Sequence, residues 1–192
     1  MREIRERPQR ERYVEVYAST YTDLVRFVVR RRPATDQAED IVAEAFAVAW
    51  QRLGDLPGDP GEARAWLFGI TRRLLMAQHR ADHRGQALSV RIAGQVAVAG
   101  PTLEHDDLVA TSVDLSKAWT RLTAMHQEAL SLSVWEGLTG SQAAQVLGIS
   151  AVAYRIRLSR ARRLLKHHLA HPVGEPSADG RRMPASSEKG LA

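Results

Sequence analysis

The sequence predicts an all-α protein of two small helical domains joined by a flexible linker. Apolar residues recur three and four positions apart along two stretches of the chain, which is typical of amphipathic helices. Between these stretches, over residues 85–112, glycines interrupt a segment in which the periodicity fades. The chain has 192 residues, of which 44% are hydrophobic and 26% charged. This length suits one or two domains, and the composition is that of an ordinary globular protein.

The first stretch, residues 13–84, has the pattern of one helical domain. Its apolar positions mark three helices, and the glycines and prolines mark the breaks between them. We predict a helix over 13–32, a second from Asp36 to Gly54, a loop over 54–63, and a third from about Ala63 to Arg80.

The second stretch, residues 113–170, predicts a domain of four shorter helices. Its first helix begins at Asp114, where the periodicity returns, and a second covers 127–135. Thr139 is a plausible cap for the third helix and Ser150 for the last and longest one. The remaining residues, 171–192, have the composition of a disordered tail.

Several classes of protein are excluded by composition. There is no cysteine, which rules out a disulfide scaffold, a thiol nucleophile and cysteine-based metal sites. No apolar run reaches the roughly 18 residues of a membrane span. The charged N-terminus lacks the apolar core of a signal peptide. The expected compartment is therefore the reducing cytoplasm.

An enzyme is also disfavoured by the motifs. The sequence contains neither a phosphate-binding glycine loop nor a Gly-x-Ser-x-Gly elbow. His79 and His83 are four residues apart, as are His167 and His171, but neither pair has a nearby third ligand for a metal. We predict no catalytic residue, no metal site and no cofactor.

Residues 139–163 have the pattern of a helix-turn-helix. Ala144 is small at the point where two helices would cross, and Gly148 follows where the turn needs a positive φ. Tyr154 and Leu158 then face inward, and the opposite side of the last helix faces solvent. The first turns of such a helix are the part that enters a major groove.

The charge distribution agrees with a nucleic-acid partner. The net charge is +5 and the isoelectric point about 10.1, but codon bias alone could raise the arginine content. Codon bias does not remove acids, however, and none occurs between Glu136 and Glu175. A helix that lies against phosphates has this charge pattern, and a merely solvated basic face is the simpler alternative.

In combination these segments resemble bacterial RNA polymerase sigma factors of the extracytoplasmic-function (ECF) group. The resemblance rests on AEDIVAEAFAVAW (38–50), ARAWLFGITRRLL (63–75), EALSLSVWEGLTGSQAAQVLGIS (128–150) and RLSRARRLL (157–165). It implies a region 2-like domain over 13–84, a linker over 85–112 and a region 4-like domain over 113–170. Such a protein binds core RNA polymerase, recognises the minus-35 and minus-10 promoter elements and directs transcription initiation.

The second helix corresponds to the segment of the family that docks on the polymerase β′ clamp. An acidic and apolar helix suits a partner lined with arginine and apolar groups. The resemblance assigns polymerase binding to Glu39, Asp40, Ala43, Glu44 and Phe46. A core position for Phe46 and a solvated helix start for the acids are the alternatives.

The third helix and the loop before it correspond to the part that captures the melted minus-10 element. Holding a single strand requires basic groups and a pocket for an unstacked base. The residues that could supply these groups are Arg64, Arg72, Arg73, Gln78 and Arg80. Trp66 lies on the apolar side of the helix, which favours packing over base stacking.

The last helix corresponds to the reader of the minus-35 element. Arg155 is early in the helix and faces outward, so it is the best candidate for base contact, whereas the later arginines suit phosphates. The full candidate set is Ala151, Val152, Arg155, Arg157, Ser159, Arg160, Arg162 and Arg163. The sequence lacks the Thr and Ser hydroxyls usual here in the family, so we do not carry over the family's standard minus-35 sequence.

The partners implied by the resemblance are core RNA polymerase, through its β′ clamp and β flap, and promoter DNA. An anti-sigma factor is a further possible partner, although no residue identifies one, and no membrane span is expected. One alternative remains open from the residues alone. A helix-turn-helix regulator could bind operator DNA as a dimer without core polymerase, although the first domain lacks the pattern of a sensor.

Overall fold

The computed structural model of the protein describes residues 2–32, 38–82 and 106–171. Seven α-helices and no strand lie within these ranges, which confirms the all-α prediction. The helices are α1 Arg2–Val29, α2 Ala38–Gln51, α3 Pro60–Asp82, α4 Asp106–Thr120, α5 Ala124–Val134, α6 Gly140–Leu147 and α7 Ala151–Ala170. Most of the predicted linker and of the tail, and His83 with them, lie outside the described residues.

Helices α1, α2 and α3 form the N-terminal half around a shared apolar core. Phe27 on α1 and Phe68 on α3 are fully buried, with their rings edge to face and the centroids 5.0 Å apart. From α2, Ile41 and Val42 fill the remaining space. These buried positions have the three- and four-residue spacing that predicted the helices.

Four helices begin earlier than the sequence prediction, and two of them are α1, at Arg2 instead of 13, and α5, at Ala124 instead of 127. Helix α3 begins at Pro60, so the loop prediction is wrong over 60–63. Proline suits the first position of a helix because its missing N–H would have no partner there. The Asp59 carboxylate also accepts the backbone N–H of Glu62 at 2.9 Å, which caps the first turn. Helix α4 begins at Asp106, before the predicted Asp114.

Helices α4 to α7 form the C-terminal half, which has a smaller apolar cluster of its own. Trp119, Leu122, Leu130 and Ala161 are buried there. The rings of Trp119 and Trp135 are 5.0 Å apart. This cluster joins α4 and α5 to the middle of α7.

The two halves pack against each other, which the sequence did not predict. One apolar core extends from Phe27 through α3 to Tyr154 on α7. Helices α3 and α6 make the central contact, and a Cβ built at Gly69 would lie 3.9 Å from the Val146 Cα. An alanine at this position would therefore be in ordinary contact with α6. No helix in the described part of the chain is long and apolar enough to cross a membrane.

Candidate DNA-binding and polymerase-binding surfaces

The helix-turn-helix is held by local caps at both sides of its turn. Gly148 ends α6 with φ of +67°. Thr139 and Gln142 form a capping box at the start of α6, and the Ser150 hydroxyl accepts the N–H of Ala153 at 3.1 Å. All three predicted cap positions are confirmed. Because each cap satisfies backbone groups that would otherwise have no partner, the angle between α6 and α7 is well defined.

Tyr154 anchors the inner face of α7. Its side chain is fully buried, and its hydroxyl donates to the Ala129 carbonyl of α5 at 2.9 Å. Burial raises the pKa of this hydroxyl, so the residue stays a neutral donor. The tyrosine therefore fixes the rotation of α7 about its axis, and with it the direction of the outer arginines.

The outer face of α7 is open. Among the described residues, no acid forms an ion pair with the arginines of α7. The exposed members of the predicted minus-35 set are Ala151, Val152, Arg155, Ser159, Arg160, Arg162 and Arg163, and Arg157 is half-buried. This helix therefore presents a continuous cationic surface to a polyanion.

The acidic face of α2 is also open, with one exception. Glu39, Asp40, Ala43 and Glu44 are exposed. Phe46 is only 3% exposed and packs with its ring centroid 4.5 Å from that of Tyr17. The structure therefore corrects the assignment of Phe46: it is a core residue that supports the helix from inside, and a partner cannot reach it.

Tyrosines of α1 cover Phe46 and extend the apolar part of this surface. The Tyr13 hydroxyl donates to the Phe46 carbonyl at 2.9 Å, and its ring lies edge to face with Trp50 at 5.1 Å. Tyr17 is 43% and Trp50 is 46% exposed. A mixed acidic and aromatic surface of this kind suits a protein partner.

The predicted minus-10 residues on α3 differ in their surroundings, and only some of them are exposed. Arg72 forms a double hydrogen bond with the Glu128 carboxylate, at 2.7 and 3.0 Å. Gln78 accepts a hydrogen bond from Arg32 at 2.7 Å. Arg73 and Arg80 are exposed, and Arg73 donates to the Gly69 carbonyl of its own helix at 3.1 Å.

Arg64 is the most constrained of the set. It forms an ion pair with Asp23 of α1 at 2.9 Å and donates to the backbone carbonyl of Glu136 at 2.7 Å. Its guanidinium carbon also lies 4.8 Å from the centre of the Phe68 ring. Arg64 thus connects both halves of the molecule. The structure places Arg64 and Arg72 in the interface between the halves.

Glu136 is the centre of this interface, and sequence reasoning did not identify it as functional. Its side chain is 1% exposed and meets Arg30 at 2.6 Å and Arg31 at 3.7 Å. Arg31 is fully buried, and this burial lowers the pKa of its guanidinium to about 10. It donates to the Ser131 hydroxyl at 2.9 Å. One feature of the sequence could have pointed to Glu136: it is the last acid before the stretch 137–174, which contains none.

An apolar groove lies at the far side of the C-terminal half, between α4, α5 and α7. It encloses about 170 Å³ and is lined almost entirely by carbon. The lining residues are Leu115, Trp119, Leu130, Val134, Trp135 and Leu165. Val134 is 65% exposed, so the groove opens to solvent along α5.

Comparison with known families identifies both halves. Residues 16–85 match the family described as Sigma-70 region 2, and residues 114–165 match Sigma-70, region 4. The first match contains α2, α3 and the second half of α1. The second match contains the helix-turn-helix and ends within α7.

Similar curated proteins are sigma factors. The ECF RNA polymerase sigma factor SigL of Mycobacterium tuberculosis is 30% identical over 147 residues, covering 74% of this chain and 80% of the relative. The RNA polymerase sigma factor CnrH of Cupriavidus metallidurans is 32% identical over 141 residues, covering 68% of this chain and 71% of the relative.

Two similar solved structures are complexes of a sigma factor with another protein. The sigma factor RpoE in complex with the anti-sigma factor NepR from Bartonella quintana has a TM-score of 0.59 at 25% identity, over 82% of this chain and 96% of that chain. CnrH in complex with the cytosolic domain of CnrY has a TM-score of 0.54 at 25% identity, over 83% and 88%. With both sigma regions present in order, the chain belongs to the ECF sigma factors, which bind core RNA polymerase and direct transcription initiation at promoters.

Proposed function

We propose that the three surfaces divide the work of promoter recognition. Helix α7 reads the minus-35 element, the acidic face of α2 docks on the β′ clamp, and α3 with its preceding loop captures the minus-10 strand. The observation that carries this proposal is the open, acid-free face of α7 on a capped helix-turn-helix. A helix with that charge and geometry fits the major groove of a duplex.

On α7, position along the helix separates the two kinds of DNA contact. Arg155 lies in the first turns, which enter the groove, so it reads a base edge. Arg160, Arg162 and Arg163 lie farther along and hold phosphates, which adds affinity without sequence preference. Val152 is 55% exposed next to Arg155, and this apolar side chain suits the methyl group of a thymine.

On α2, the exposed acids give the polymerase contact its electrostatic part. Glu39, Asp40 and Glu44 lie on one accessible face, and Ala43 between them lets a partner helix come close. The half-exposed rings of Tyr17 and Trp50 supply apolar area beside the charges. Aromatic anchors with a charged surround are typical of protein interfaces.

The apolar groove between α4, α5 and α7 is the surface that we assign to the β flap, the second polymerase contact. An apolar helix or loop would fill the groove and cover Val134. None of the arginines of α7 lines the groove. Polymerase and minus-35 DNA could therefore bind the C-terminal half together.

The protein has no covalent chemistry of its own in this proposal. Polymerase supplies catalysis, and the chain works in the cytoplasm where polymerase and promoter DNA are found. One structural relative, RpoE, was solved with the anti-sigma factor NepR, which supports an anti-sigma partner for this chain as well. Such a partner would act by covering the surfaces of α2 or α7.

The test is promoter-dependent RNA synthesis by sigma-free bacterial core polymerase over a genomic DNA library. Discrete start sites with shared upstream elements are the expected result. The double substitution Glu39→Lys with Asp40→Lys should abolish initiation while leaving duplex binding by α7 intact, and Asp114→Asn on α4 serves as the charge control. Specific duplex binding without any initiation would overturn the proposal and favour an operator-binding regulator.

A further inference from the structure

The centre of the outer face of α7 is apolar near the start of the helix. Val152 is 55% exposed and Ile156, which sequence reasoning left out of the DNA-binding set, is 48% exposed. Tyr154 lies midway between them in sequence and is buried. Two positions along an α-helix correspond to a rotation of about 200°, so both side chains point away from Tyr154. Because residues four apart are neighbours on a helix surface, Val152 and Ile156 form one apolar pair.

Arginines flank this apolar pair on both sides. Arg155 and Arg160 are exposed, and the rotation of the helix places them on opposite sides of Ile156. In the ranges that the structure describes, no acid forms an ion pair with either arginine. An apolar strip between two cationic edges matches the major groove, where base edges lie between two rows of phosphates. The charge therefore favours duplex DNA as the occupant of this face.

We infer that Val152 and Ile156 read the methyl groups of thymines in the minus-35 element. This inference rests on the proposed role of α7 as the minus-35 reader. The C5 methyl of thymine is the apolar group that base pairs present in the major groove, beside hydrogen-bond donors and acceptors. Four residues of a helix span about 6 Å, and base pairs are about 3.4 Å apart along a strand. The two methyl groups therefore lie within about two base-pair steps of each other.

The same two side chains also reject the other bases. Neither valine nor isoleucine can form a hydrogen bond, so a cytosine amino group pressed against either side chain would lose its water without gaining a partner. Both side chains are branched at Cβ, which leaves one strongly preferred χ1 rotamer in a helix. Their direction is therefore fixed before DNA binds. The apolar pair adds sequence preference, whereas the later arginines add affinity.

The start of α7 holds the apolar pair in place. The Ser150 hydroxyl accepts the N–H of Ala153 at 3.1 Å, and the Tyr154 hydroxyl donates to the Ala129 carbonyl at 2.9 Å. Val152 lies between these two anchored residues, and Ile156 is on the next turn. Because the first turns of the second helix enter the groove, both side chains are on the part of α7 that reaches the base edges.

Duplex DNA that lacks single thymine methyl groups is the probe for this inference. The full chain, alone and bound to core polymerase, first selects a preferred minus-35 duplex from a random pool. Each thymine of that duplex is then replaced in turn by deoxyuridine, which lacks the C5 methyl. Binding by the wild type should weaken about fourfold at two of the thymines, which is the effect of one buried carbon group, and less than about twofold at the others.

Two variants assign each methyl group to its side chain. In Ile156→Ala, deoxyuridine should have no further effect at one of the two thymines and should keep its effect at the other. Val152→Ala should show the reverse pattern. Val14→Ala is the matched control, because this valine of α1 is 62% exposed, and it should respond as the wild type does at both thymines. Thermal unfolding checks that these surface substitutions leave the fold intact.

The outcomes separate this inference from the proposed function. A selected element that contains no thymine, or that tolerates deoxyuridine at every thymine, would overturn the inference. A deoxyuridine effect as large in the double variant Val152→Ala with Ile156→Ala as in the wild type would also overturn it. Failure of the full chain to select any duplex, with or without polymerase, would instead contradict the proposed role of α7.

Discussion

Helices α3 and α7 carry arginines of the same type and are assigned to the same polyanion, yet their surroundings are opposite. On α7 the arginines have no acid beside them in the described part of the chain. On α3, Arg64 and Arg72 have ion-pair partners on other helices. The comparison shows that a basic helix predicts DNA binding only when the acids near it in space, as well as in sequence, are known.

The largest expected effect on stability is at Glu136, the buried acid between the two halves. Glu136→Ala removes the carboxylate paired with the fully buried Arg31, which we expect to lower the free energy of unfolding by about 3–5 kcal/mol. Urea denaturation measures the loss, with Asp114→Asn as the control. A loss below about 1 kcal/mol would show that the pair with Arg30 and Arg31 is not what holds the halves together.

Two substitutions at Gly69 test how closely α3 and α6 pack, without a change of charge. Gly69→Ala fits, because its Cβ would meet Val146 at ordinary contact distance, and it should stabilise α3 by up to about 1 kcal/mol. Gly69→Leu overfills the same contact and should destabilise the protein by about 1–3 kcal/mol. Thermal unfolding of both variants checks the prediction, and equal signs would contradict the close crossing of α3 and α6.

On α7, substitution of Arg155 and substitution of Arg163 should weaken DNA binding in two different ways. Arg155→Ala should weaken the preferred minus-35 sequence by about 1–3 kcal/mol and relax preference at one base pair. Arg163→Ala should weaken all duplexes alike and reduce the salt dependence of binding by about one unit of slope. Binding titrations at several salt concentrations measure both effects. Equal losses on every sequence would contradict the division between base and phosphate contacts.

The smallest expected effect concerns the cap that begins α7. Ser150→Ala removes the acceptor for the Ala153 N–H and should cost about 1 kcal/mol of stability. Because the first turn of α7 is the part that enters the groove, minus-35 affinity should fall by a similar amount. Denaturation and duplex titration together check this, and Ser150→Asp, which keeps an acceptor, should restore the stability.

The parts of the fold that the sequence predicts are those set by neighbouring residues. Thr139, Gly148 and Ser150 act on backbone groups within a turn of themselves, and all three were identified correctly. The helix starts at Pro60 and Asp106 were placed too late, because apolar spacing marks the core-facing part of a helix and says little about a polar first turn.

The parts that the sequence did not predict depend on residues far apart along the chain. Arg30 and Glu136 are separated by 106 positions and meet at 2.6 Å. No periodicity encodes such a pair, so Arg64 and Arg72 were assigned to DNA without their carboxylate partners. Phe46 was misassigned for a related reason: its neighbours on α2 are exposed acids, but the tyrosines that cover it belong to α1.

The cation above Trp135 gives the molecule a natural optical signal. The Arg30 guanidinium carbon lies 5.6 Å from the centre of the Trp135 ring, and the same arginine is bonded to Glu136. Separation of the halves would remove the cation from the indole and admit water to its face. Tryptophan emission should then shift to longer wavelength, so the fluorescence of the unlabelled protein reports whether the two halves are in contact.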